Sequence, residues 1–154
     1  MPLIIGTIEL DVLEGTIDAD VLIGLGGDDQ LDGDQGADKI DGDNGADALD
    51  GGAGDDRISG GRGQDSLNGE AGDDRLDGGT GDDRLDGGDG KDTATYATSR
   101  GGVTVSLAAA GVQDTGVAGM DELISIENLA GSNFDDVLTG DEGANRIAGR
   151  NGDD

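Results

Sequence analysis

One aliphatic residue recurs every nine positions along most of the chain: Leu13, Leu22, Leu31, Ile40, Leu49, Ile58, Leu67, Leu76 and Leu85, with Ala94 next in phase. Polar residues flank most of them. Read in blocks of nine from Gly6, the chain gives GTIELDVLE, GTIDADVLI, GLGGDDQLD, GDQGADKID, GDNGADALD, GGAGDDRIS, GGRGQDSLN, GEAGDDRLD, GGTGDDRLD and GGDGKDTAT, without a gap to Thr95. Every block opens with Gly. Every sixth position is Asp: Asp11, Asp20, Asp29, Asp38, Asp47, Asp56, Asp65, Asp74, Asp83 and Asp92. From the third block onward the fourth position is Gly too, from Gly27 to Gly90.

Each block divides physically. The first six residues carry the Gly and Asp, and so predict a turn with unusual backbone angles. The last three place one aliphatic side chain between polar neighbours, a minimal strand with one inward residue. Two blocks make a coil of 18 residues with a turn at each end. Stacked coils then form parallel strands with one aliphatic column per sheet. The expected fold is all-β, a parallel β-solenoid of two-block coils, with same-side turns coming from alternate blocks.

The pattern also divides the chain. Residues 1–23 read as atypical N-terminal capping repeats, because Ile8 and Ile17 stand in their turns and Glu9 and Asp18 replace the fourth-position Gly; terminal repeats of such arrays are commonly modified in this way. Residues 24–95 are the regular repeats. Residues 96–130 break the pattern. Within them Gly102-Val103-Thr104-Val105-Ser106-Leu107 alternates as a half-buried strand does, and Leu123, Ile124, Ile126 and Leu129 form a second apolar patch. The nonapeptide returns in 131–154 as GSNFDDVLT and GDEGANRIA, shifted in phase by one residue, so the break reads as an insertion. Asp136, Asn145 and Asp154 hold the sixth position there. A last block opens at Gly149 and stops at Asp154 inside the repeat, which reads as a truncated block of a fragment.

Composition sharpens the reading. Gly supplies 33 of 154 residues, and there are one Phe, one Tyr and no Trp. Acidic residues number 36 against 9 basic, a formal charge of −27. Low hydrophobicity with high charge is the signature of disorder, but a disordered linker does not hold an aliphatic residue in phase for nine blocks. A compact state of this charge repels itself and calls for cations. Cys and His are both absent, which excludes disulfides, thiolate or imidazole metal sites and His-based catalysis. The few scattered basic residues argue against nucleic acid. No apolar run reaches the roughly 20 residues that a bilayer needs, and Met1 to Leu10 lacks the form of a secretory signal peptide.

The blocks resemble the RTX (repeats-in-toxin, haemolysin-type) calcium-binding nonapeptide, G-G-x-G-x-D-x-U-x with U a large aliphatic residue. The resemblance is close over 24–92, loose over 6–23, and resumes at 131–154. It implies a parallel β-roll with Ca²⁺ between successive turns on one side. It implies side-chain ligands at the sixth positions: Asp29, Asp38, Asp47, Asp56, Asp65, Asp74, Asp83 and Asp92, with Asp20, Asp136 and Asp154 at the margins. Same-side partners would be Asp29 with Asp47, Asp38 with Asp56, and so on to Asp74 with Asp92. Backbone carbonyl ligands would come from Gly33, Gly36, Gly42, Gly45, Gly51, Gly54, Gly60, Gly63, Gly69, Gly72, Gly78 and Gly81. Ca²⁺ takes oxygen ligands in flexible geometry, which carboxylates and turn carbonyls supply. Nothing here favours a soft metal.

The varied fifth position (Asp28, Ala37, Ala46, Asp55, Gln64, Asp73, Asp82, Lys91) reads as outward and solvated. So do the ninth-position Asp32, Asp41, Asp50, Asp77 and Asp86. The stretch from Tyr96 through GVTVSL to Asp121-Glu122-Leu123 and Ile126-Glu127-Asn128-Leu129 resembles a spacer between repeat blocks of bacterial RTX proteins, and is expected to be a structural β excursion that packs on the roll.

The resemblance further implies a secreted, extracellular bacterial protein exported by type I secretion, of which this chain is one module beside other domains. Thin aliphatic columns do little against the entropy of ordering a Gly-rich backbone, so the chain is expected to be unfolded without Ca²⁺ and folded with several ions bound. Two other functions compete. A secreted protease, lipase or alginate epimerase would use this chain as its non-catalytic repeat region; a regularly repeated Asp is a ligand ladder, whereas a catalytic pair would be unique, so the chain itself is read as no enzyme. An adhesin or ice-binding solenoid would display outward Thr or aromatic arrays, and this chain displays Asp, Arg, Gln, Lys and Ser.

Overall fold

The computed structural model describes residues 2–154, so Met1 of the expected N-terminal cap lies outside the described residues. Seventeen short strands follow one another without a helix between them. They are β1 (Leu3–Ile5), β2 (Val12–Thr16), β3 (Val21–Gly26), β4 (Gln30–Asp34), β5 (Lys39–Asn44), β6 (Ala48–Asp50), β7 (Arg57–Arg62), β8 (Ser66–Asn68) and β9 (Arg75–Thr80). After these come β10 (Arg84–Asp86), β11 (Thr93–Thr95), β12 (Thr104–Ser106), β13 (Val112–Asp114), β14 (Met120–Ile124), β15 (Asn128–Ala130), β16 (Val137–Thr139) and β17 (Arg146–Ala148).

Alternate strands belong to opposite sheets. One sheet has the order β1-β3-β5-β7-β9-β11-β15-β17, and the other β13-β14-β10-β8-β6-β4-β2. Pairing is parallel except where β13 turns back antiparallel onto β14. The eighth positions set the register. Leu22 pairs with Ile40, Ile40 with Ile58, and Ile58 with Leu76. In the facing sheet Leu13 pairs with Leu31, Leu31 with Leu49, Leu49 with Leu67, and Leu67 with Leu85. The two columns meet between the sheets, where Leu22 through Leu85 are all at most 2 % exposed. The expected solenoid of 18-residue coils is therefore the fold. A strand pattern with one inward residue per side builds a core one side chain wide.

The phase break is an insertion that leaves the roll and returns to it. β11 takes β15 as its next neighbour and β10 takes β14, so Ala94 stacks on Leu129 and Leu85 on Leu123. The residues between make an excursion: β12 pairs with β16, and Tyr96, Val103, Val105 and Ala118 extend the core. The span 96–130 thus supplies both the excursion and, in β14 and β15, one full coil of the roll.

Fourth-position glycines allow the coils to stack this closely. Gly54 has φ +147° and Gly81 φ +137°. A Cβ at Gly54 would land on the carbonyl of Gly36 in the coil beneath, and one at Gly81 on that of Gly63. In the first coil Ile8 and Ile17 stand outward, 81 % and 70 % exposed, and Leu13 is only half-buried.

Candidate metal centre

Each sixth-position Asp sits where a turn enters its strand, with its side chain directed into the turn. Asp20, Asp29, Asp38, Asp47, Asp56, Asp65, Asp74, Asp83 and Asp92 are all at most 3 % exposed. Nine buried carboxylates with no basic partner among the described residues demand a physical explanation. Some of it lies in a hydrogen-bond ladder. The amide of Asp29 donates to Asp47 Oδ1 at 2.8 Å, that of Asp38 to Asp56 Oδ1 at 2.7 Å, and that of Asp47 to Asp65 Oδ1 at 2.9 Å. The rungs continue through Asp56 to Asp74, Asp65 to Asp83 and Asp74 to Asp92, each spanning 18 residues. The same-side pairs expected from the repeat are thus adjacent rungs. They form two ladders, one along each turn face of the roll.

The ladder uses one oxygen of each carboxylate. The other, Oδ2 of Asp29, Asp38, Asp47, Asp56, Asp65, Asp74, Asp83 and Asp92, is buried and has no hydrogen-bond partner. These oxygens point at the bare Cα of the glycine that opens the same block, beside a carbonyl from the next coil. A Cβ built on Gly51 would lie 2.6 Å from Asp56 Oδ2 and 3.0 Å from the Gly69 carbonyl; one on Gly33 would lie 2.7 Å from Asp38 Oδ2 and 2.5 Å from the Gly51 carbonyl. The first-position carbonyls of Gly42, Gly51, Gly60 and Gly69 therefore border the orphan oxygens. The fourth-position glycines lie on the other side of the carboxylate: a Cβ at Gly45 would be 3.0 Å from Asp47 Oδ1.

Electrostatics follows from burial. Desolvation, reinforced by neighbouring carboxylates, pushes Asp56 and Asp65 up from 3.8 to about 6, and Asp74 and Asp83 to about 7. Asp38, Asp47 and Asp92 are raised for the same first reason. The ladder amides oppose the rise without cancelling it. The stacked turns therefore hold acids that resist ionising unless positive charge is supplied.

A hard cation fits this donor set. Only oxygen is on offer, half of it anionic and unpartnered, and the chain has no His or Cys. Among the described residues no three carboxylates converge on one point, so two carboxylates per ion would have to be completed by turn carbonyls.

The marginal candidates differ. Asp20 gives Oδ2 to the Thr16 amide and hydroxyl, and its unpartnered atom is Oδ1. The ladder position below it is Pro2, which has no N–H to donate. Asp136 is buried but uses both oxygens, on the Ser132 amide and hydroxyl and on the Val103 amide. Asp154 is exposed and accepts from the Asp136 amide at 3.0 Å. Asn145 accepts from the Asp141 amide with its side-chain oxygen.

Two acids of the inserted segment continue the ladders. The Asp83 amide donates to Asp121 Oδ1, and the Asp92 amide to Glu127 Oε2. Their signal is the spacing Asp121-x-Leu123 and Glu127-x-Leu129, which keeps the sixth-to-eighth interval of the repeat; the block GVAGMDELI also keeps its glycines at Gly116 and Gly119, whereas the block ending in Glu127-Asn128-Leu129-Ala130 has none. The fifth positions also do more than face solvent. Asp28 Oδ1 accepts from the Ala46 amide, Asp55 from Asp73, and Asp73 from Lys91, so an outer rung runs in the opposite direction. Of the ninth positions, Asp32 is exposed, whereas Asp50 buries an unpartnered Oδ1 and Asp77 is pushed up to about 6 by desolvation.

Comparison with known proteins agrees with this geometry. The family profile of the RTX calcium-binding nonapeptide repeat (4 copies) matches residues 5–40, 32–67, 41–76, 59–94 and 125–154. A search of curated proteins found no match. The matched stretches cover both sheets of the roll and flank the excursion. The chain belongs to the RTX calcium-binding nonapeptide repeat family.

Proposed function

We propose that this Ca²⁺-binding repeat module uses its two aspartate ladders to make folding conditional on calcium, and that it does so outside the cell as one module of a larger secreted protein. The observation that carries the reading is the array of eight buried Oδ2 atoms, Asp29 through Asp92, none of which has a partner. A bound Ca²⁺ would supply the positive charge that these oxygens lack and would tie a carboxylate to carbonyls of the neighbouring coil. The ligands would be those aspartates with the first- and fourth-position glycine carbonyls. The chain's own contribution is to hold the oxygens in place. The ladder amides fix each carboxylate, and the aliphatic columns fix the spacing of the coils.

The repeat is a structural ligand array and carries no catalysis of its own. RTX repeats are typical of secreted bacterial proteins. Such a module passes through an export channel unfolded at low cytosolic Ca²⁺ and folds at the millimolar concentrations outside, which suit weak sites. Ion binding then becomes folding free energy, because the site exists only in the folded state.

The test is a far-UV circular dichroism titration of chelated protein. A cooperative change from coil to β on adding Ca²⁺, reversed by chelator and not produced by Mg²⁺, is expected. A β spectrum already complete in chelator would overturn the coupling of folding to calcium.

A further inference from the structure

Not all turns of the roll share one backbone, and the residue after the opening glycine marks the difference. In the interior turns this second residue is left-handed: Leu25 (φ 80°), Asp34 (67°), Asp43 (70°), Gly52 (87°), Gly61 (105°), Glu70 (65°), Gly79 (95°) and Gly88 (88°). These blocks are the ones whose Asp Oδ2 is buried without a partner. Thr7, Thr16 and Ser132 occupy the same position but are not left-handed. There the second-residue amide points at the carboxylate. Thr7 N–H donates to Asp11 Oδ2 at 2.5 Å, Thr16 N–H to Asp20 Oδ2 at 2.6 Å, and Ser132 N–H to Asp136 Oδ2 at 2.7 Å. The hydroxyl adds a further bond, at 3.0, 2.9 and 2.7 Å respectively.

We infer that the second residue decides whether a turn takes a cation, and that Thr7, Thr16 and Ser132 mark turns closed to Ca²⁺. The inference rests on the reading of the interior turns as calcium sites and assigns the ends of that array. Its chemistry is local. Thr is β-branched and disfavours left-handed φ, so it holds the peptide with its N–H inward. At Thr7 and Thr16 amide and hydroxyl together then satisfy the Oδ2 that an interior turn leaves bare; at Ser132, which has no branched Cβ, the amide alone takes Asp136 Oδ2 and the hydroxyl donates to Oδ1. A carboxylate already accepting two donors has little to gain from a cation and would have to break those bonds to bind one. Gly, or an acidic or apolar residue forced left-handed, turns the amide away and exposes the oxygen.

The closed turns flank the open ones. Thr7 and Thr16 precede the first interior turn. At the insertion, Asp121 Oδ2 is likewise taken, by the Tyr96 hydroxyl at 3.2 Å and the Thr115 hydroxyl at 2.9 Å. The calcium array is thus bounded on the N-terminal side and, along the Asp83 ladder, at the excursion by turns in which the protein itself satisfies the carboxylate Oδ2.

The experiment counts Ca²⁺ bound per chain, by equilibrium dialysis of the whole protein with metal analysis, in wild type, Thr16→Gly, Thr16→Val and Glu70→Thr. Thr16→Gly frees the backbone to turn left-handed and is expected to raise the count by about one ion. Glu70→Thr closes the Asp74 turn and is expected to lower it by about one. Thr16→Val loses the hydroxyl but keeps the branched Cβ, and should leave the count at the wild-type value. Because Glu70→Thr acts in the opposite direction, poor folding of Thr16→Gly cannot hide the result. Unchanged counts in both Thr16→Gly and Glu70→Thr, with wild type binding several ions, would overturn the turn assignment alone. A wild type that binds no Ca²⁺ would instead overturn the calcium reading beneath it.

Discussion

The amide of Asp56 donates to Oδ1 of Asp74, 2.8 Å away and 18 residues along the chain, while Oδ2 of Asp74 is buried with no partner. One carboxylate thus does two jobs: one oxygen joins coil to coil, and the other is left for a cation. The pH dependence follows. Without calcium, Asp74 and Asp83 are raised from 3.8 to about 7, and Asp56 and Asp65 to about 6. A folded state with raised carboxyl pKa values binds protons more tightly than the unfolded chain. Its contribution is fully present below about 4 and is lost as pH rises through 6 to 7. In chelator, residual β structure should therefore increase on acidification from pH 7.5 to about 5. With calcium the sign reverses, because protons compete for the ligands. Circular dichroism at a series of pH values, with and without Ca²⁺, checks both arms; parallel curves would count against the ladder.

Asp65→Asn separates charge from hydrogen bonding. The amide oxygen can still accept from Asp47 N–H, as Asp65 Oδ1 does at 2.9 Å. The NH₂ group then replaces the unpartnered Oδ2. The chelated form should gain stability, on the order of the 1–3 kcal/mol that an unsatisfied buried group costs. Calcium binding should weaken, with the folding midpoint moved to about tenfold higher Ca²⁺. Opposite shifts in the two conditions are the expected signature, read from denaturant melts in chelator and from the calcium titration.

Two glycine substitutions test the stacking. Gly81 (φ +137°) has the Gly63 carbonyl where its Cβ would stand, whereas Gly111 (φ +78°) has nothing within 4 Å. Gly111→Ala should cost about 1–2 kcal/mol, the usual strain of a left-handed L residue. Gly81→Ala must push neighbouring coils apart and should prevent the calcium-induced spectral change at millimolar Ca²⁺. Equal effects in the two variants would mean that the coils are not packed this closely.

Much of this was legible in the sequence, and the reason is the period. A residue repeating every nine positions, flanked by turn formers, specifies strand, turn and coil at once, so Leu22 beneath Ile40 can be read before any coordinates. What escapes such a reading is whatever leaves the frame. Asp121 has its glycines at Gly116 and Gly119 but sits two residues out of phase with the run that ends at Thr95, and Glu127 keeps the two-residue interval to Leu129 with no opening glycine; the place of both on the ladders depends on the excursion closing over the inserted distance. The two turn classes escape for another reason. Leu25, Asp34, Asp43 and Glu70 are left-handed where glycine is the usual occupant, and side-chain identity alone does not announce it.

The one tyrosine of a chain without tryptophan reports on the excursion. Tyr96 is 4 % exposed, and its hydroxyl donates to Asp121 Oδ2 at 3.2 Å. Burial first, and the Asp121 carboxylate next, push its phenol well above the usual 10. For an acid raised in the folded state, the stabilising contribution is present below the unfolded pKa and is lost as pH rises through the folded one. At a pH slightly above 10, the chelated and unfolded chain should show the phenolate absorption band, and added Ca²⁺ should abolish it as the excursion docks. Tyr96→Phe should remove the signal and cost about 1 kcal/mol for the lost hydrogen bond, leaving the β spectrum of the roll intact. A phenolate band that persists after the calcium-induced β transition would show that the roll folds without the excursion, and that Ala94 to Leu129 is not a continuous step of the column.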